Sequence, residues 1–435
     1  MERTHIIDPV KFLTGQQWFL VLDSWLPLCY LCRMHKPDAN QSKPVDQALD
    51  FNDTEIAFRG NSNSDLKRAY WLFKIISVRL LTKIGPPLTN FAMAIGLPIK
   101  PLIKATIFEH FCGGETIAEC ESTIVQLDKG HVGSILDYSV EGEDDEKAFD
   151  ETCEEIMRTI IRADGDKRIP LTVFKVTGLG RFDLIAKRDS KEALNEDENE
   201  EFKRITARIN QICSLAHERT VRVMIDAEES WIQDSIDQLA LEMMRRYNQN
   251  NPIVYNTYQL YRNNVLECLR QDTKMAFTEG FILGAKLVRG AYMQKERKRA
   301  EEKGYPSPIN ATKEETDNHY NDGLRFCVSH LTTVAFLAGT HNEESCRLLA
   351  ELLDSKNIKH NHDHVYFSQL LGMSDNLSFN LAEAGFNVAK YVPYGPVKAV
   401  MPYLFRRAEE NTSVAGQMGR ELKLIVKEKK RRKLA

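Results

Sequence analysis

The sequence predicts an α/β fold, a (β/α)8 barrel of the TIM type preceded by an all-α region, and three observations carry that prediction. From about residue 130 the chain breaks into short β-branched or apolar runs, each ending in polar residues and followed by an amphipathic helical stretch. About eight such runs are counted, the number at which a parallel sheet closes on itself. A doubly wound dinucleotide fold would open with a glycine-rich phosphate turn. The nearest candidate, Thr177-Gly-Leu-Gly180, lacks the third glycine.

Taken in order, residues 1–45 form an extension of uncertain structure. Within it Trp18 to Cys32 is apolar, but Asp23 and Pro27 interrupt it. It falls short of the roughly 20 residues that span a bilayer, so it reads as a docked or interfacial helix. Cys29 and Cys32 form a lone CxxC with no second pair, which points to buried thiols before zinc or redox chemistry. Residues 46–130 are helical in spacing, as in Leu66 to Leu81 and Phe91 to Phe108, with Pro86/Pro87 and Pro98/Pro101 as breaks.

The barrel occupies residues 131–422. Its strands are expected at Gly133 to Tyr138, Leu171 to Thr177, Val221 to Asp226, Ile253 to Gln259, Phe281 to Arg289, Thr333 to Thr340, His364 to Gln369 and Asn387 to Val392. The acidic segments Glu141 to Glu146 and Glu192 to Glu201 read as solvated loops or helix starts. Residues 423–435 form a basic tail, Lys423 to Lys433, expected as a solvated end with membrane contact as the alternative.

Composition narrows the function classes. The 58 basic and 62 acidic side chains give a formal charge of −4 without a basic block in the middle of the chain, so nucleic acid is not an expected partner. Nine cysteines in no repeated framework fit thiols kept reduced inside a cell. The first residues match neither a secretory signal nor a transit peptide, so the expected location is the bacterial cytoplasm at the inner face of the membrane, or the mitochondrion for a eukaryotic source.

A barrel of this kind gathers its chemistry at the C-terminal ends of the strands. Polar residues there are Asp137, with Glu141 beyond it; Lys175 and Thr177; Asp226-Ala-Glu-Glu229; Tyr258 and Gln259; Lys286 and Arg289; and Thr340-His341-Asn342. After the last strand come Tyr391 and a helix bearing Arg406 and Arg407. Each has a plain structural reading. Neighbouring helical residues point about 100° apart, so an Arg-Arg pair usually faces solvent. Lys175 inside an apolar strand is harder to dismiss, because burying an unpaired ammonium is costly. Asp226 closes its own apolar run, and ion pairing between the two is the structural alternative.

The cluster His360-Asn-His-Asp-His364 raises a competing class, a metal-dependent barrel hydrolase. Such an enzyme draws ligands from several strands, whereas these histidines crowd one loop and strand start, with His341 the other histidine at an expected strand end. No metal is therefore expected. A third class, a barrel kept as a non-catalytic scaffold, predicts that charges at the strand ends would have been lost, and they are present.

Four segments together resemble the proline dehydrogenase family: Asp226-Ala-Glu-Glu229, Leu287-Val-Arg-Gly-Ala-Tyr292, Gly339-Thr-His-Asn342, and Tyr391 ahead of Arg406-Arg407-Ala-Glu-Glu-Asn411. The resemblance runs from about Phe51 onward. It implies FAD-dependent oxidation of L-proline to Δ1-pyrroline-5-carboxylate, with hydride passing to flavin N5 and electrons going on to a membrane quinone, as the first step of proline catabolism to glutamate. It further implies that Arg406, Arg407 and Lys175 hold the substrate carboxylate, that Asp226 orients Lys175, and that Glu141 pairs with Arg406 in a gate.

Flavin contacts carried over in the same way are Gln259, the run Val288, Arg289, Gly290 and Ala291, then Thr340 and His341. Lys286 stands where many members have an arginine beside flavin N5, which keeps the charge and loses the planar fork. With Asp226 it is assigned to the chemistry. Tyr391 is similar to a tyrosine packed over the proline ring, which favours proline over hydroxyproline. Nothing resembles an aldehyde dehydrogenase or a DNA-binding region, so a monofunctional enzyme is expected, touching the membrane through its N-terminal helices or basic tail.

Overall fold

A computed structural model describes residues 49–76, 98–140, 145–413 and 417–434. Cys29, Cys32, the Trp18 to Cys32 stretch, Pro86/Pro87, Phe91 and Glu141 lie outside the described residues.

Eight parallel strands close into a barrel. They are β1 (Gly133–Tyr138), β2 (Leu171–Lys175), β3 (Arg222–Asp226), β4 (Val254–Gln259), β5 (Leu283–Val288), β6 (Val334–Gly339), β7 (Val365–Leu370) and β8 (Val388–Tyr394). Several ends differ from the expected ones by one or two residues, two of them for evident local reasons. β2 stops at Lys175 because Val176–Gly178 curl into a 3-10 turn. β8 continues to Tyr394 because β1 offers it partners up to Tyr138.

Helices alternate with the strands and pack an apolar stripe on the sheet. The helix Glu146–Ala163 is capped by Asp145 and buries Phe149, Cys153, Ile156 and Ile160 at the helical spacing. The helices Glu196–Arg219 and Lys313–Ser329 each open with a capping box, Asn195 with Glu198 and Thr312 with Glu315.

Inside the barrel a second apolar layer joins Ile135, Val173, Met224, Tyr255, Leu337, Ala389 and Tyr391. Gly284 makes room for it: a Cβ there would lie 2.2 Å from the Val254 carbonyl oxygen and 2.8 Å from Tyr255 Cγ. The floor is closed by Arg222, 2.7 Å from Asp363 and 3.2 Å from the Tyr366 hydroxyl.

The flanking helices depart from expectation in two places. Pro101 does not break a helix but sits in the first turn of Lys100–Ile103, where its missing N–H costs nothing. The basic tail is not a solvated end. It forms the last turns of the helix Gln417–Arg431, whose Leu424 and Ile425 pack with Ala57, Phe58, Leu66 and Phe73. Burying one such leucine contributes about 1.5–3 kcal/mol, and the neighbouring lysines keep their solvation. Lys423, Lys427 and Lys430 stay exposed on its other face.

Candidate active site

The two-residue period of a strand decides which side chains enter the barrel mouth. Two residues beyond Ile135, Val173 and Met224 on the same inner face stand Asp137, Lys175 and Asp226. Lys175 and Asp226 are register partners on adjacent strands. Their ion pair spans 3.5 Å, and Lys286 from β5 comes closer, with Nζ 2.5 Å from the other carboxylate oxygen of Asp226. The Tyr391 hydroxyl donates to that same oxygen at 3.5 Å, and the Lys286 ammonium lies 4.5 Å from the Tyr391 ring centroid.

Burial alone would push the Asp226 carboxyl up. The Lys286 and Lys175 ammoniums outweigh it and hold the group below the usual carboxylate range, so Asp226 stays charged. Asp137 goes the other way: burial raises it, against the opposing pull of Lys175. Lys175 and Lys286 offset Asp137 and Asp226 in formal charge, and further cations stand on the next element.

That element is the helix Met401–Ser413. Arg407 is buried at 7% exposure, its guanidinium 5.2 Å from the Tyr403 ring, and Arg406 is half-buried. The solvent-facing reading of the pair therefore fails. Arg406 and Lys175 both act on the Tyr292 hydroxyl, and Arg407 acts on His341, which puts the two arginines on the rim of the same mouth. Guanidinium and ammonium groups are donors whose geometry and charge suit a carboxylate.

The β4 to β6 side of the mouth is built differently. Gln259 donates through Nε2 to the Glu228 carbonyl at 2.7 Å. Glu228 in turn accepts from Thr177 N at 3.0 Å and Thr177 Oγ1 at 2.5 Å, and burial pushes its carboxyl up to about 7. Tyr258, expected here, faces outward and donates to Asp272 at 2.8 Å. The sequence cannot separate Tyr258 from Gln259 without the strand's phase.

The Arg289 side chain is held by Asp317 at 2.7 Å, Thr340 Oγ1 at 2.7 Å and Ser345 Oγ at 3.0 Å, so the run from Val288 to Ala291 offers mainly backbone. Gly290 and Ala291 are exposed. Gly290 has φ +133°, and a Cβ there would lie 2.4 Å from the Tyr261 ring. His341 accepts or donates at Nδ1 to Ser374 Oγ over 2.9 Å, and burial pushes its imidazole down to about 3, so it is neutral. A bare peptide turn, a carboxamide and a neutral imidazole at three adjacent strand ends suit a flat ring with a polar edge and an anionic chain.

Two supporting residues went unnoticed in the sequence. Lys390 is fully buried on β8, 2.7 Å from Asp375 and 2.6 Å from the Met373 carbonyl oxygen, and it acts on His341. Its signal was the same as that of Lys175, a lysine inside an apolar strand. Ser374 gave none: its backbone N–H donates to Glu421, 47 residues away, and its hydroxyl meets His341.

The histidine cluster lies at the other end of the barrel, before β7. His360 uses both ring nitrogens, on Asp354 at 2.6 Å and the Ala384 carbonyl at 2.8 Å, and His364 meets the Leu331 carbonyl at 2.9 Å. Among the described residues no cluster of three potential metal ligands occurs, and no helix is long and apolar enough to cross a membrane.

Comparison with known proteins adds to this geometry. The family model described as proline dehydrogenase matches residues 120–420. The carbapenem antibiotics biosynthesis protein CarD of Pectobacterium carotovorum subsp. carotovorum is 36% identical over 324 residues, covering 74% of this chain and 83% of that protein. Proline dehydrogenase 1, mitochondrial, of Dictyostelium discoideum is 31% identical over 426 residues, covering 87% and 74% respectively. Among solved structures, proline utilization A (PutA) from Bdellovibrio bacteriovorus inactivated by N-propargylglycine aligns with a TM-score of 0.65 at 21% identity. That alignment covers 83% of this chain but 38% of the other, and at such identity it speaks for the barrel fold alone.

Proposed function

The chain belongs to the proline dehydrogenase family, and we propose that it oxidises L-proline to Δ1-pyrroline-5-carboxylate with FAD as cofactor, at the first step of proline catabolism to glutamate. The observation that carries this reading is the array at the barrel mouth of Asp226 between Lys286 and Lys175, in contact with Tyr391. A proline dehydrogenase has no bond to hydrolyse and little covalent work to do. Its site must fix the substrate so that one ring C–H points at the acceptor.

Arg406, Arg407 and Lys175 bind the proline carboxylate, the two guanidiniums offering bidentate forks and the ammonium a third donor. Asp226 holds both lysines in place. Tyr391 packs over the proline ring, and because its hydroxyl is tied to Asp226 the ring has little freedom to yield to a hydroxyl on carbon four; proline is therefore preferred to hydroxyproline. Glu141, which the resemblance pairs with Arg406 in a gate, lies outside the described residues.

Gln259, the backbone of Val288, Arg289, Gly290 and Ala291, and Thr340 with His341 would hold the flavin, and Lys286 would offer its redox-active ring a cationic neighbour. When bound, the flavin supplies the two-electron acceptor for the hydride leaving the ring carbon next to nitrogen.

Anaerobic addition of L-proline to the purified protein is expected to bleach the oxidised flavin band. A protein that incorporates no FAD, or whose flavin spectrum is unchanged by proline, would overturn the reading.

A membrane quinone takes the electrons onward, and the exposed face of Lys423, Lys427 and Lys430 supports a peripheral contact with an anionic bilayer. The relatives named mitochondrial favour a mitochondrial setting over the bacterial cytoplasm. In a flotation assay with anionic vesicles the protein is expected to rise with the lipid at low salt and to be released at high salt. Failure to float in either condition would remove the contact.

A further inference from the structure

We propose that Asp137 is a catalytic base, which takes the proton from the ring nitrogen of the substrate. The inference rests on the proline-oxidising reading above. Free proline carries a secondary ammonium at neutral pH, and a carbon next to an ammonium is a poor hydride donor, because the nitrogen has no lone pair with which to form the C=N bond. The N–H bond must break, with the proton going to a group in the pocket. The freed pair then forms the C=N bond as the neighbouring C–H pair leaves to the acceptor that a dehydrogenase already requires.

The groups at the barrel mouth differ in their capacity to take that proton. Lys175 and Lys286, engaged with Asp226, are donors. Asp226 has both oxygens occupied, one by Lys286 and Tyr391 and the other by Lys175. Glu228 turns both carboxylate oxygens to Thr177. Tyr391 is already a hydrogen-bond donor, and burial pushes its phenol up. Glu229 is ion-paired with Lys295, and Asp137 keeps an oxygen in reserve: Ser139 Oγ donates to Oδ2 at 2.7 Å, and Oδ1 accepts no hydrogen bond from the described residues.

Its position suits the task. Asp137 closes the inner face of β1 two residues beyond Ile135, at 5% exposure, where the fields of Lys175, Asp226 and Lys286 reach it. Cys112 and Tyr391 also adjoin it, and burial keeps both protonated. Burial raises the Asp137 carboxyl, Lys175 lowers it and Asp226 raises it again, with Ser139 and Lys286 lowering it. A raised carboxyl accepts a proton more readily than the depressed Asp226.

The test compares Asp137→Asn and Ser139→Ala with the wild-type holoenzyme. The probes are L-proline and tetrahydrofuran-2-carboxylate, which has the same ring and carboxylate but no ionisable nitrogen. Asp137→Asn is expected to lower kcat/KM for proline by roughly 10²–10⁴-fold and to abolish the acid-side inflection of its pH profile. Calorimetric binding of the ring-oxygen analogue should stay within about threefold of wild type, since that ligand brings no proton.

Ser139→Ala removes a hydrogen bond to the charged form and should move the inflection to higher pH, which keeps the idea testable if Asp137→Asn does not fold. A wild-type profile in either variant would overturn the proposal. So would equal loss of proline oxidation and analogue binding, which would make Asp137 structural. If the wild-type protein fails to oxidise proline at all, the reading of the site fails with it, and analogue binding shows whether the carboxylate clamp survives.

Discussion

Replacing Asp226 with alanine is expected to destabilise the protein by about 3–5 kcal/mol, because it leaves the buried Lys286 ammonium and the partly buried Lys175 ammonium without their shared counter-charge. It is also expected to lower kcat/KM for proline by roughly 10²-fold or more, since Lys175 and Lys286 lose the group that places them. Thermal or denaturant melts against the wild type read the first effect, and steady-state kinetics on the folded fraction read the second.

The pH dependence has a definite sign. The Asp226 carboxyl is depressed in the folded state, so its contribution is present above the ordinary aspartate value of about 3.9 and is lost as pH falls through the folded value. The stability gap between wild type and Asp226→Ala should therefore be full at neutral pH and shrink under acid. A variant that melts with the wild type at neutral pH would show that the array does not hold the two lysines.

The second large effect is expected at Arg407. Truncating Arg407 to alanine should raise the proline KM by the equivalent of about 2–5 kcal/mol of lost charge-paired binding, roughly 30-fold to several thousandfold, while flavin absorbance per mole of protein stays constant. Arg406→Ala should act in the same direction with a smaller effect, because Arg406 is half-buried and Arg407 is 7% exposed, so water offsets the lost charge at Arg406 more fully. An unchanged KM in both variants would remove the pair from the substrate site.

The barrel was legible because its signal is local. A buried parallel strand writes itself as an apolar run, and β1 lies where its run of residues placed it, Gly133–Tyr138. Lys175 and Asp226 stood out because each interrupts such a run with a charge that has to be answered by a partner. Tyr258 against Gln259, and Pro101 as a helix start, were less legible. Each depends on the phase of an element, and a shift of one residue reverses it.

By itself, then, the sequence determined the eight βα units, the strand-end charges and the family motifs, since hydrophobic period and costly buried charges are properties of short stretches of chain. Only the tertiary structure decided which charges meet. It brought Lys286 to Asp226 across 60 residues, left Asp137 with an oxygen in reserve among the described residues, tied Ser374 to Glu421, and docked the basic C-terminal segment as an amphipathic helix on the helices near the N-terminus. Those outcomes follow from barrel closure and from the inner or outer facing of each strand residue. Both are set by packing between segments far apart in the chain, for which a single sequence carries no local mark.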